Sequence, residues 1–340
     1  MRIVQVHGQG DVRLDPVAAP VAGPGDVLVR IAACGICGTD LTFVKQGGTK
    51  RAFEGPMPLG HEAAGEVTAV GAGVEGVQVG QRVIINPMGT SAVIGNGGPE
   101  GAFTEELLVR EARLGTSLLP IPDDLPYDLA ALTEPLAVAL HGVNRADPAP
   151  DEKVVVFGCG PIGLGVVLWL AERGVKDVVA IDLHDSRLER AAALGARATI
   201  RADREDVEAR LAELHGRTDV LGRPAVGTQV YIDAAGGPGI VPQVVAMARS
   251  KARLMVIAAY RTPVPLDLQA MLISEMSIAT SVGYPDELPV VLAALPRLAD
   301  KVRPLISHRF PFDRVIEGFG VAGQADAAKV MIDFDEGMPA

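Results

Sequence analysis

The chain has 340 residues, enough for about two domains at roughly 150 residues each. The 42 acidic against 31 basic residues give a formal net charge of −11, which argues against nucleic acid or an anionic membrane surface as the main partner. With 48% hydrophobic and 21% charged residues the composition is that of a globular protein, and only 4% aromatics means cores built from Ala, Val, Leu and Ile.

The N-terminus reads as a strand and turn, without the continuous apolar stretch of a signal peptide. Residues 1–146 carry short strand-like runs at Val27–Ile31, Ala64–Val70, Arg82–Ile85 and Leu107–Val109. Turn signals such as Gly23-Pro24-Gly25, Gly47-Gly48 and Gly95–Pro99 separate them, so this part is a β-rich domain. Within it Cys34-Gly35-Ile36-Cys37 follows a strand, in what reads as a loop. Gly60-His61-Glu62 opens another strand, and Thr133-Glu134-Pro135 starts a helix that reaches His141. A thiolate, an imidazole and carboxylates form a borderline-soft donor set that suits Zn²⁺. Each residue also has a plainer reading. One C-x-x-C without a second is no structural zinc site, and Cys34 reads as a small core residue. Glu134 before Pro135 is an ordinary helix start. His61 and His141 read singly as hydrogen-bonded structural histidines. The three cysteines Cys34, Cys37 and Cys159 are too few for a disulfide framework, which fits a cytoplasmic protein.

A Pro-rich polar link at Asp147–Glu152 begins a second domain, residues 147–283, in which strands alternate with helices. Strands are expected at Val154–Phe157, Val178–Asp182, Ala198–Ile200, Gln229–Asp233, Leu254–Ala258 and Ser277–Val282. Helices are expected at Gly163–Arg173, Ser186–Leu194, Arg204–Leu214 and Ile240–Arg249. Such alternation implies a doubly wound parallel sheet, an α/β architecture. Val154–Ala171 is uncharged but rich in glycine, and a strand, turn and buried helix explain it better than a membrane span. The remainder, residues 284–340, reads as a helix at Asp286–Asp300 and strands at Leu305–Phe312 and Ala328–Phe334 around a short helix.

The run Gly158-Cys159-Gly160-Pro161-Ile162-Gly163 falls between a strand and a helix, which is the context a G-x-G-x-x-G motif requires. Gly158 permits the tight turn, Gly160 lets a pyrophosphate approach, and Gly163 lets helix and strand pack. Pro161 and Ile162 complete the motif, and the helix that follows offers N–H groups at its N-terminus to the anion. Asp182 ends the next strand, where a carboxylate meets ribose hydroxyls; its plainer reading is a helix cap. A carboxylate there repels a 2′-phosphate and favours NAD, while Arg187 and Arg190 nearby leave NADP in play.

The motifs CGICGTD (Cys34–Asp40), GHEAAGEVTAVG (Gly60–Gly71), GQRV (Gly80–Val83), EPLAVALH (Glu134–His141) and the glycine run stand in order along the chain. Together they resemble the zinc-dependent medium-chain dehydrogenase/reductase family, in its sorbitol, butanediol and threonine dehydrogenase branch. The resemblance implies a GroES-like catalytic domain, a Rossmann domain and a C-terminal return to the first domain. It makes Cys37 and His61 zinc ligands, Glu62 a ligand or close neighbour, and Glu134 the acidic ligand position. Thr39 matches the hydroxyl that hydrogen-bonds the reacting oxygen. It also implies a homodimer or homotetramer formed through the last strand of the parallel sheet. Two departures stand out. Asn86–Phe103 lacks the cysteines of a structural zinc lobe, so one zinc per chain is expected. Thr42 stands where many relatives carry a histidine that relays protons, which leaves that task to Thr39 with the cofactor ribose or water. With Cys37, Glu62 and Glu134 all bound, negative charge would exceed that of the zinc and weaken its acidifying effect, so both glutamates are not expected to be tight ligands at once.

The expected function is hydride transfer between a secondary alcohol or its ketone and NAD. The segment Thr42–Pro58 is expected to rim the substrate entrance. A zinc-free NADPH quinone or enone reductase on the same fold would need neither Cys37 nor His61, and metal analysis separates it. A non-catalytic dinucleotide-binding protein would turn over no alcohol.

Overall fold

The structure is a computed structural model that describes residues 1–49 and 55–334. It divides into two compact units: Met1–Glu134 with the chain from Leu288 onward, and Pro135–Glu287. The change from the first unit to the second falls inside the helix Thr133–Ala146.

The first unit is built on a seven-stranded sheet. Its strands run in the order Ile306–Pro311, Lys329–Asp333, Val27–Ile36, Glu62–Val70, Arg82–Ile85, Leu118–Pro120, with Glu106–Val109 also paired to Val27–Ile36. Val27–Ile36 is long and almost wholly buried, so its sequence Val-Leu-Val-Arg-Ile-Ala-Ala-Cys-Gly-Ile is a near-continuous apolar run. Two bulges, between Leu28 and Val29 and between Ile31 and Ala33, re-aim its second half. The strand Lys329–Asp333 lies antiparallel to that half, with Val330 opposite Ile36 and Asp333 opposite Ala33. The core beneath contains Val29, Ile31, Cys34, Val67, Ile85, Phe103, Val330 and Ile332.

One local reading is corrected here. Cys37 is not in an open loop but is the N-cap of a helix, Gly38–Gln46. The thiol accepts from the Thr39 N–H while the Asp40 carboxylate accepts from the Cys37 N–H, so both ends of a capping box are closed. The helix hides in the sequence because sulfur is an unusual cap and Gly38-Thr39-Asp40 are poor helix formers.

The second unit holds a six-stranded parallel sheet in the order Ala198–Arg201, Asp177–Asp182, Lys153–Phe157, Val230–Asp233, Arg253–Val256, Ser277–Thr280. The chain thus starts in the middle, builds outward to one side, then returns and builds to the other. The order reverses between Lys153–Phe157 and Val230–Asp233, and ligands of such sheets bind at the carboxyl ends flanking that switch. The turn from Lys153–Phe157 leads into the helix Pro161–Glu172. A short hairpin, Arg217–Val220 with Arg223–Val226, interrupts the alternation. Its turn carries Leu221 at φ 51°, a residue that does not advertise a left-handed turn. Among the described residues no helix is long and apolar enough to cross a membrane.

Candidate metal and dinucleotide sites

In the first unit the donor atoms of Cys37, His61 and Glu62 all lie within 4.8 Å of one another. Cys37 comes from the cap of the helix Gly38–Gln46; His61 and Glu62 come from the start of the strand Glu62–Val70. Asp40 joins these pieces. It is fully buried, and besides the Cys37 N–H it accepts the Gly60 N–H at 3.3 Å. Its Oδ1 stands 3.5 Å from Nδ1 of His61, which is buried and makes no hydrogen bond. Burial alone pulls the His61 imidazolium downward, yet Asp40 and Cys37 outweigh it and hold its pKa well above the ordinary histidine value. The pocket therefore favours a positive charge at that point. A soft sulfur, an imidazole with an unsatisfied nitrogen and a carboxylate are together a donor set that fits zinc.

Two more charged groups belong to this neighbourhood. Lys329 is 2% exposed, and its ammonium donates to Glu62 Oε2 at 2.5 Å, to Glu62 Oε1 at 2.6 Å and to the Ile36 carbonyl at 3.0 Å. Burial disfavours its charge, but Glu62 first and then Cys37 and Glu134 raise its pKa above the usual lysine value. Glu134, half-buried in the first turn of the helix Thr133–Ala146, thus acts on Lys329 through its charge, although it is outside the three-residue donor group. Sequence reasoning marks neither Lys329 nor Asp40 as a site residue. A lysine inside the apolar run Ala327–Ile332 was the available signal, since a buried cation requires a partner.

The remaining predicted residues around the metal position take different places. Thr39 is exposed in the first turn of the capped helix, and Thr42 donates its hydroxyl to the Gly38 carbonyl at 2.9 Å. Of the expected substrate rim, Thr42–Gln46 is helical, and residues 50–54 lie outside the described residues. Cys34 is buried in the core, where desolvation pushes its thiol pKa up, and it stands outside the three-residue donor group. His141 stays structural, its Nδ1 2.9 Å from Glu287 Oε1.

In the second unit the glycine turn has the form its sequence requires. Gly158 sits at φ 88°, and a Cβ there would lie 2.8 Å from the Ala235 Cβ. A Cβ on Gly163 would stand 1.7 Å from the Gly158 carbonyl oxygen. Gly160, by contrast, has nothing within 4 Å of where a Cβ would be, so the space over it is open. It is the N-cap of the helix Pro161–Glu172, which has Pro161 in its first turn, no side-chain cap and no acidic residue there. An uncapped, uncrowded helix N-terminus over a bare backbone fits a dinucleotide pyrophosphate.

Asp182 ends its strand beside this turn. Its Oδ2 accepts the Cys159 N–H at 2.7 Å, and its Oδ1 accepts those of Leu183 at 2.7 Å and His184 at 3.0 Å. It therefore fixes the glycine turn and the entry to the helix Asp185–Ala193 together, and Arg187 stands 4.0 Å from Oδ2. On the strand Val230–Asp233, which pairs with the other side of Lys153–Phe157, Asp233 is fully buried and accepts from Ala235 N–H, Gly236 N–H and the Tyr260 hydroxyl at 2.9, 3.0 and 2.6 Å. This braces the loop that backs Gly158. Neither Asp233 nor Tyr260 was anticipated, since no spacing in the sequence ties them to the turn.

Residues 23–123 match the family model of the alcohol dehydrogenase GroES-like domain, and residues 161–297 that of the zinc-binding dehydrogenases. The chain is 30% identical over 343 residues to (R,R)-butanediol dehydrogenase of Bacillus subtilis (strain 168), covering 94% of this chain and 95% of that one. It is 31% identical over 348 residues to sorbitol dehydrogenase of Rattus norvegicus, covering 97% and 95%. The crystal structure of 2R,3R-butanediol dehydrogenase from Bacillus subtilis superimposes with a TM-score of 0.85 over 98% of this chain and 99% of that one.

Proposed function

The chain belongs to the zinc-dependent alcohol dehydrogenase family, and from that premise we propose that it oxidises secondary alcohols of the polyol and vicinal-diol class with NAD. The observation that carries this reading is the convergence of Cys37, His61 and Glu62 within 4.8 Å. Cys37 and His61 would hold one zinc ion per chain with a single carboxylate, from Glu62 or Glu134. Bound there, zinc supplies Lewis acidity that makes an alcohol hydroxyl acidic enough to ionise near neutral pH. Asp40 keeps the thiol and the imidazole in register through the Cys37 and Gly60 N–H groups. The Thr39 hydroxyl, exposed beside the thiol, receives the substrate's proton and passes it to water.

The dinucleotide would lie with its pyrophosphate over Gly160 and its adenosine ribose toward Asp182. That carboxylate repels a 2′-phosphate, which supports NAD over NADP, and Arg187 at 4.0 Å offsets only part of its charge. The partner is a small alcohol or ketone. A second copy would dock on the edge strand Ser277–Thr280, just beyond which Val282 is 89% exposed. We read the protein as cytoplasmic, in keeping with three free cysteines.

A screen over polyols, butanediols, threonine and hydrophobic secondary alcohols with NAD, before and after zinc chelation, tests this. The expected result is one zinc per chain and NAD reduction that chelation abolishes and zinc restores. No turnover with any alcohol, or equal turnover by the zinc-stripped protein, overturns it.

A further inference from the structure

With the adenosine ribose toward Asp182, the nicotinamide half of a dinucleotide falls to the strands Val230–Asp233, Arg253–Val256 and Ser277–Thr280, and the role inferred for Tyr260 rests on that reading. The loops that leave the first two of these strands are tied together at Asp233. This carboxylate is 0% exposed, so water compensates none of it. Its Oδ1 accepts the Ala235 and Gly236 N–H groups of its own loop, and its Oδ2 accepts the Tyr260 hydroxyl of the other at 2.6 Å. The Asp233 main-chain carbonyl holds the root of that second loop, accepting from Ile257 and Ala258 at 2.9 and 3.1 Å. Beyond Ala258 the chain runs to Leu268 without helix or strand, and Tyr260 fastens it again. The two loops also touch. Gly236 sits at φ 71°, and a Cβ there would stand 3.2 Å from both the Ala258 Cβ and the Ala259 carbonyl oxygen.

We propose that Tyr260 is a positioning residue: its hydroxyl, anchored on the buried Asp233, holds the loop 257–262 in the shape that receives the nicotinamide half of the cofactor. The hydroxyl has one proton, spent on Asp233 with the Gly237 carbonyl next at 3.1 Å, so it acts through the loop. Burial first, and then the carboxylate beside it, raise the phenol's pKa above the ordinary tyrosine value, so the donor persists across the working pH range. Without the hydroxyl, Oδ2 is left buried with no donor and the loop is held at its root alone. Binding the nicotinamide half must then also order the loop, which weakens it. Binding of the adenosine half, on the other side of the switch point, is untouched.

The test compares NADH with AMP, which lacks the nicotinamide half, by fluorescence titration and competition. In Tyr260→Phe the NADH dissociation constant should rise by about tenfold while that of AMP stays within about twofold. KM for NAD should rise by a similar factor with kcat nearly kept, because the reacting groups are unchanged. Asp233→Asn can donate from its amide to the phenol oxygen while the phenol donates to Gly237, so it should keep more NADH affinity than Tyr260→Phe. Unaltered NADH affinity in Tyr260→Phe overturns the proposal. So does a parallel loss of AMP, which marks general damage to the unit. A larger NADH loss in Asp233→Asn than in Tyr260→Phe also overturns it, since charge and not the hydroxyl would then hold the loop. Should Tyr260→Phe not fold, hydrogen exchange of the wild type decides. NADH but not AMP should protect the amides of residues 257–262, and equal protection by both, or by neither, defeats the role of Tyr260. A wild-type protein that binds neither NADH nor AMP overturns the dinucleotide reading and this one with it, whereas normal binding with an unresponsive Tyr260→Phe defeats this one alone.

Discussion

Gly35 shows what one missing methyl group decides. Its backbone lies so close to the buried Glu62–Lys329 pair that alanine cannot enter without displacing a carboxylate oxygen 2.2 Å away. We expect Gly35→Ala to cost about 1–3 kcal/mol of stability, seen as a lower urea midpoint at unchanged m. His215 makes a second case. It is 1% exposed, with Nδ1 2.7 Å from the Thr228 hydroxyl and Nε2 3.2 Å from Asp177 Oδ1. Burial lowers its pKa; Asp177 opposes this, while Arg197 and Lys153 reinforce it. The folded state thus binds the proton less readily than the unfolded one. Its stabilising contribution is complete above the unfolded value, about 6.5, and is lost as pH falls through the lower folded value. As pH falls below about 6.5, wild type should lose more stability than His215→Gln; equal losses in urea titrations would refute this. At this scale legibility was uneven. Cys37, His61 and Glu62 could be found because their motifs are contiguous, whereas the roles of Asp40 and Lys329 arise from partners brought together only by folding.

Whole elements were easier to read than their connections. The parallel strands of the second unit were found nearly to the residue, because buried parallel strands write themselves as short runs of Val and Ile. The helix Gly38–Gln46 and the hairpin around Leu221 were missed, since a sulfur cap and a leucine in a left-handed turn carry no compositional mark. The join between strand Lys153–Phe157 and helix Pro161–Glu172 bears a tight steric constraint. A Cβ at Gly163 meets the Gly158 carbonyl oxygen at 1.7 Å, so Gly163→Ala must move the helix. The chain's single tryptophan, Trp169, sits on that helix and donates to the Leu136 carbonyl at 2.9 Å, which makes its fluorescence a direct reporter. We expect Gly163→Ala to red-shift that emission and to abolish NAD binding while leaving Co²⁺ uptake intact. Unaltered NAD affinity would contradict the assignment of this turn to the pyrophosphate.

For the molecule as a whole, the composition pointed to a globular acidic protein, and the two units each carry their own core. Assembly beyond the single chain is a separate matter. Among the described residues the strand Ser277–Thr280 ends the parallel sheet with one side unpaired, and Val282 just past it is 89% exposed. We expect native mass spectrometry to find a dimer or tetramer, and Val282→Asp to drive it toward monomer without loss of NAD binding. A wild-type monomer would remove that strand from consideration as an interface.

The pairing of Glu62 with Lys329 also has a temporal side, because 267 positions separate the two. At roughly 5–20 residues per second, a ribosome needs on the order of tens of seconds to travel from one to the other. Until the strand Lys329–Asp333 emerges and zips onto Val27–Ile36, a nascent chain presents the thiol, the imidazole and an unneutralised acid together. The charge balance of the Glu62–Lys329 pair is therefore completed only when that strand has been made.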